Sequence, residues 1–195
     1  HGLFGLYEVP WLLAQVSTVF VFLVVVNAIN FIDGIDGLAI TEVIKIILIT
    51  EYFSNSLTIL SPLGFLIITS IIPLYYFNFK KERKVFLGDG GSMLLGTIVM
   101  IYILNLLGEN YSFKAELIIN KTLLAVLITL YPLVDLLRVF ILRIKDGKLP
   151  FIADQRHIHH FVKNKFNSHF KVTFMILIIE ILVTTFCVFI YQIRI

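Results

Sequence analysis

Five stretches of this chain, roughly 11–32, 57–79, 90–108, 120–143 and 171–193, are apolar with few or no charges. Each is long enough to cross a bilayer as a helix of about 20 residues. Inside hydrocarbon, every backbone N–H and C=O must be bonded within the segment or its closed sheet, which leaves only helices and barrels. Barrel strands alternate apolar and polar residues, and no such alternation occurs here. The expected fold is therefore all-α, a polytopic transmembrane helix bundle forming one membrane domain over residues 1–195. A sixth stretch, about 37–53, carries Glu42 and Lys45. These lie three apart on one helical face and can pair, which lowers the cost of burying them. Counting it as a span gives about six. A content of 58% hydrophobic and 15% charged residues is far from that of soluble domains.

Lys and Arg accumulate in short cytoplasmic loops. Lys80, Lys81, Arg83 and Lys84 fall between the third and fourth spans, and Arg143, Lys145, Lys148, Arg156, Lys163, Lys165 and Lys171 lie between or beside the last two. With Arg138 these are twelve of the sixteen basic residues, whereas loops 54–56 and 109–119 hold one Lys with Glu109 and Glu116. Both chain ends are thus expected outside, with the loops at 33–36, 80–89 and 144–170 inside. This bias accounts for the net charge of +3, and two loop clusters at membrane ends give no nucleic-acid-binding face. Cys187 is the one cysteine, so it forms no disulfide within the chain; it reads as a small buried hydrophobe. The chain starts at His1 with neither an initiator Met nor a signal peptide. Residues 1–10 read as an external connector into the interfacial aromatic Trp11, with further membrane helices expected before it.

Polar constellations interrupt the apolar pattern at three places. The first, Asn27-Ala-Ile-Asn30-Phe-Ile-Asp33-Gly-Ile-Asp36-Gly-Leu, sets two amides, two carboxylates and two glycines where the first span stops. Ionisable groups beside hydrocarbon are costly and mark substrate or ion pathways, and glycine lets the backbone turn sharply against a ligand. Val85-Phe86-Leu-Gly-Asp89-Gly-Gly-Ser92, the second, opens the fourth span. Free amides, a helix N-terminus and a hard oxygen ligand suit a diphosphate with Mg²⁺, although Asp89 or Ser92 can also serve as a plain helix cap. The third, Asp154-Gln-Arg156-His157-Ile-His159-His160, precedes the last span. Its histidines and Arg156 can donate to phosphate oxygens; they can alternatively hold a soft metal or form a solvated loop. Alternate crossing of the spans puts all three on the cytoplasmic face, where carboxylates, amide-rich turns and cationic donors together suggest phosphate chemistry between a soluble nucleotide and a lipid.

In order and spacing, Asn27-x-x-Asn30-x-x-Asp33-Gly-Ile-Asp36-Gly-Leu, Phe86-Leu-Gly-Asp89-x-Gly-Ser92-x-x-Leu95-Gly96 and His157-Ile-His159-His160 resemble the polyprenyl-phosphate N-acetylhexosamine-1-phosphate transferases. The Ala-Asp-x-x-His-Ile-His-His form looks like the branch that uses UDP-N-acetylglucosamine; the branch acting on the muramoyl-pentapeptide precursor, the alternative, shows Pro-x-His-His-His. The resemblance implies a multi-pass protein of the bacterial inner membrane with its active site on the cytoplasmic face. Its reaction would take a UDP-N-acetylhexosamine and undecaprenyl phosphate to the lipid-diphosphate sugar and UMP, at the start of cell-envelope polysaccharide or O-antigen synthesis. A homodimer is an allowed assembly.

The same resemblance implies the roles of individual residues. Asp89 would hold Mg²⁺, with Mn²⁺ able to substitute, and Phe86 would stack on uracil. Asn27, Asn30, Asp33 and Asp36 would line the catalytic and nucleotide site, while His157, His159, His160 and Arg156 would contact diphosphate or sugar. Asn78 matches the family's asparagine upstream of the Gly-Asp motif, although the connection 79–85, with its Lys-Lys-Glu-Arg-Lys run, departs from the usual Pro-containing form. Family members also carry an Asp-Asp pair on an earlier loop. Nothing in residues 1–195 matches it, so this stretch by itself is expected to be the later part of a larger transferase and inactive alone.

A phosphomonoester with a second pKa near 6 is already largely dianionic at neutral pH, so the lipid phosphate needs little base catalysis. Positioning and charge neutralisation dominate, and direct attack on the sugar-proximal phosphorus is favoured over a phospho-Asp33 intermediate. A transporter or channel is the competing class, with Asp33, Asp36, Glu42 and Lys45 as an ion path. Asp135–Arg138 and Glu42–Lys45 read as structural pairs, and Glu180 has no evident partner in the sequence.

Overall fold

A computed structural model describes residues 2–3, 7–8, 10–80, 83–114, 119–147, 158 and 168–193. Two short antiparallel strands, β1 (Gly2–Leu3) and β2 (Tyr7–Glu8), precede the bundle. Among the described residues the remaining elements are all helices: α1 (Trp11–Ile32), α2 (Leu38–Phe53), α3 (Ser61–Asn78), α4 (Gly88–Leu107), α5 (Lys121–Ile128), α6 (Leu130–Lys145) and α7 (His169–Ile193). The chain is a helical membrane protein.

Four of these helices, α1, α3, α4 and α7, are long and apolar enough to cross a membrane. A fifth span is formed if α5 and α6, bent by 68° at the break between them, count together. This corrects the expectation of about six. The element that drops out is α2, whose 16 residues at about 1.5 Å rise each fall short of a hydrocarbon core about 30 Å thick. It begins late because the turn after α1 consumes Asp33 to Gly37. Instead of facing lipid it forms the centre: ten of its sixteen residues are buried, and it packs against α1, α3, α4, α5 and α7. Apolar residues all round a helix are the mark of such a buried position.

The two charges on α2 are resolved by its neighbours. Lys45 Nζ lies 2.5 Å from Glu42 Oε2, as the spacing predicts, and 2.7 Å from Glu180 Oε2 on α7. Glu180 therefore has a partner, and it is a cation 135 residues away in sequence. Its second oxygen accepts the Tyr131 N–H at 3.1 Å, just past the break between α5 and α6. A broken helix frees backbone donors that lipid cannot satisfy, and Glu180 supplies the acceptor. Glu42, Lys45 and Glu180 thus form a buried cluster tying α2, α7 and the α5–α6 break together.

Close contact between α1 and α4 depends on a missing side chain. A Cβ at Gly96 would stand 2.8 Å from Val26 Cα and 3.0 Å from Val26 O. Only glycine lets these backbones approach so closely, and the approach fixes the ends of both helices that carry the first two polar motifs.

Candidate active site

The C-terminus of α1, the N-termini of α2, α4 and α7 and the C-terminus of α3 meet at one end of the bundle. Motifs far apart in sequence are joined there by hydrogen bonds. Asn30 Nδ2 donates to Ser92 Oγ at 2.7 Å, a link across 62 residues. Ser92 is wholly buried and its hydroxyl is directed at the carbonyl oxygens of Gly88 and Asp89, each 3.1 Å away. This one contact seats the Asn27–Asp36 turn on the first turn of α4, which carries Asp89. Asn27 lies a turn further into the membrane, where its amide is used on the Leu23 carbonyl of its own helix at 2.7 Å.

The turn between α1 and α2 is held by Gly37 and Asn78. Gly37 takes the left-handed conformation with φ 73°, and a Cβ there would come within 2.6 Å of the Phe79 ring. Its N–H donates to Asn78 Oδ1, while Asn78 Nδ2 donates to the Val85 carbonyl at 2.9 Å. Asn78 is buried and ties the carboxylate-bearing turn to the connection leading to Phe86. That arrangement gives it a positioning part at the site's edge.

The two carboxylates of the turn have different surroundings. Asp36 is ion-paired with Lys84 Nζ, and its Oδ2 lies 3.1 Å from His169 Nδ1. Its backbone N–H also faces His169 Nδ1 at 3.1 Å, and its backbone oxygen accepts the Thr173 hydroxyl at 3.0 Å. No hydrogen bond holds the Asp33 carboxyl among the described residues. Its pKa is raised from 3.8 to about 7, chiefly by burial and also by the negative charges of Asp36 and Asp89. Asp89 itself is exposed, as is Phe86, at 67%.

Mg²⁺ normally takes one or two protein carboxylates and fills the rest of its octahedron with phosphate oxygens and water. Among the described residues no three His, Cys, Asp or Glu side chains converge to enclose a metal unaided. The donors present nevertheless fit an open magnesium site. The negative charge of Asp89 raises the pKa of Asp33, a repulsion that a bound divalent cation would relieve, and Asp36 is already engaged by Lys84. His157, His159, His160 and Arg156 lie outside the described residues. Within that segment Ile158 is described, and its N–H donates to the buried Asp135 at 2.7 Å, so Asp135 does more than pair along its own helix.

Lys84, His169 and Thr173 stand at the candidate site although the sequence reading gave them no part in it. Two signals for them were present: Lys84 sits two positions before Phe86 in the basic run, and His169 is one of four histidines within 157–169. A large membrane-facing groove of about 1210 Å³ runs elsewhere, along α2, α3 and α7 past Leu48, Ile72, Tyr75, Phe174 and Ile181. Asp33, Asp36 and Asp89 do not line it.

Comparison with known proteins identifies the family. Residues 1–107 match the family described as Glycosyl transferase family 4. Proteins named undecaprenyl-phosphate alpha-N-acetylglucosaminyl 1-phosphate transferase are similar over 102 residues, half of this chain. The one from Pasteurella multocida is 33% identical, that from Haemophilus influenzae 34% and that from Escherichia coli K12 30%. The matched part covers 27%, 27% and 26% of those relatives respectively. No solved structure matches the chain.

Proposed function

The chain belongs to glycosyl transferase family 4, and from that premise we propose that it supplies the nucleotide and metal side of a sugar-phosphate transferase. The donor is a UDP-N-acetylhexosamine, best taken as UDP-N-acetylglucosamine, and the acceptor is undecaprenyl phosphate; the products are undecaprenyl-diphosphate sugar and UMP. The names of the relatives support this sugar over the muramoyl-pentapeptide alternative. The observation that carries the reading is the Asn30–Ser92 hydrogen bond, which brings Asp33 and Asp36 to the helix end bearing Asp89.

In this reading Asp89, with Asp33 beside it, would hold Mg²⁺, which would supply positive charge to the diphosphate. A lipid phosphate oxygen attacks the sugar-proximal phosphorus and the bond to the UMP oxygen breaks, with no covalent enzyme intermediate. The chain's own residues orient and neutralise. The N-terminal amides of α4 face an anion, Phe86 offers a free aromatic face, and the His157–His160 segment with Arg156 contacts diphosphate or sugar. The reaction is placed at the cytoplasmic face of the bacterial inner membrane, in accord with the clustering of Lys and Arg at that end. Membranes containing the protein at its full natural length are tested for release of radiolabelled UMP from UDP-N-acetylglucosamine on addition of undecaprenyl phosphate and Mg²⁺. Incubation with UDP-sugar alone should leave no phosphate on Asp33; trapping it there would replace direct attack with the phospho-aspartate route.

A further inference from the structure

We propose that Lys84 contacts the substrate: its ammonium holds Asp36 when the site is empty and binds a phosphate of the nucleotide when the site is filled. The proposal rests on the nucleotide-dependent reading above. Lys84 stands in the connection between α3 and α4, its side chain 25% exposed and ion-paired with Asp36. Its Nζ also lies 5.0 Å from the centre of the Phe86 ring. A single partly exposed pair on a long flexible stem contributes little to stability, so holding the fold together does not explain its place.

Its position fits recognition better. Phe86 is 67% exposed at this end of the bundle, an accessible aromatic ring of the kind that stacks on a planar base in nucleotide-binding sites. An ammonium against that face adds an anion-binding point one side chain away. The combination reads a base joined to a phosphate, the chemistry of a nucleoside diphosphate. An ammonium has three N–H donors, enough to keep Asp36 and take a phosphate oxygen together, or to pass from one to the other. Asn78 fixes the geometry by joining the Gly37 N–H to the Val85 carbonyl, the residue between Lys84 and Phe86. One consequence is a division of labour among the carboxylates: Asp36 orients Lys84, and the cation falls to Asp89 and Asp33.

The test compares UDP with uridine as ligands of the purified protein by titration calorimetry, in the unaltered protein and in Lys84→Met, Lys84→Gln and Lys84→Arg. Loss of one charge-assisted hydrogen bond should weaken UDP binding about tenfold or more in the Met and Gln variants. Uridine, which lacks phosphate, should change by less than about twofold, and Arg should restore UDP binding to within about threefold. The Gln variant keeps a polar side chain of similar reach, so a folding failure of the Met variant leaves the comparison intact. Equal weakening of UDP and uridine, or no weakening of either, overturns the role given to Lys84. If the unaltered protein neither binds UDP nor releases UMP, the nucleotide reading itself fails, and the assignment of Lys84 fails with it.

Discussion

Asn30 and Ser92 meet through one hydrogen bond, and the active-site reading depends on it. Replacing either by a residue that cannot bond should cost about 1 kcal/mol of stability, and the double variant should cost clearly less than the sum of the singles. Thermal unfolding of Asn30→Leu, Ser92→Ala and the pair would measure this, with UMP release falling more steeply than stability. Asp33 offers a pH test. Its folded pKa, about 7, lies above the ordinary 3.8, so the folded state binds a proton more readily than the unfolded one. The sign follows from linkage: stability declines as pH rises from about 4 to 7, and is restored as pH falls. Asp33→Asn should flatten that slope in a Tm-against-pH series without Mg²⁺; an unchanged slope would remove Asp33 as its source. At this scale the sequence was legible wherever chemistry dictated residue type, as for Asp33, Asp36, Asp89 and Phe86. Lys84 and His169 were hidden, because a lysine in a basic run and a histidine at a helix start look like solvent-facing groups until folding sets them against Asp36.

Helices were readable for a different reason: hydrophobicity over about 20 residues is a property of composition and needs no partner. Four spans follow it directly. The errors occurred where tertiary context overrides composition. α2 looks like a span but is a short central helix, and the region 120–143 looks continuous but breaks between α5 and α6. Glu180 marks the second case, since a carboxylate in an apolar helix reports a backbone donor or cation elsewhere, here the Tyr131 N–H and Lys45. Glu180→Leu leaves both with less than they need and should destabilise the protein by about 3 kcal/mol or more, read as a fall in detergent-solubilised Tm; Glu180→Gln, which keeps an acceptor for Tyr131, should lose less. The glycine contact makes a second element-scale prediction. Gly96→Val forces a side chain into Val26 and should cost about 1–3 kcal/mol, together with loss of the Asn30–Ser92 alignment and of UMP release. Full stability in that variant would mean that α1 and α4 do not pack as described.

For the molecule as a whole, the polar groups divide into two populations with separate tasks. Glu42, Lys45 and Glu180 are buried among helices, where two carboxyl groups share one ammonium and link α2 to α7. Asp33, Asp36, Asp89, Lys84 and His169 gather at one end, where charge stays accessible to a ligand. In the proposed reading that end faces the cytoplasm, in accord with the lysine and arginine distribution. The central claim is the proposal that this end takes part in magnesium-dependent transfer of a sugar phosphate, and the direct measurement is UMP release from UDP-N-acetylglucosamine in membranes carrying the protein at its full natural length, with undecaprenyl phosphate as acceptor. The account predicts release that requires both the lipid phosphate and Mg²⁺ and falls at least about a hundredfold in Asp89→Asn, as expected when transition-state charge loses its neutralising ligand. Full activity in Asp89→Asn, or UMP release indifferent to Mg²⁺, would contradict it.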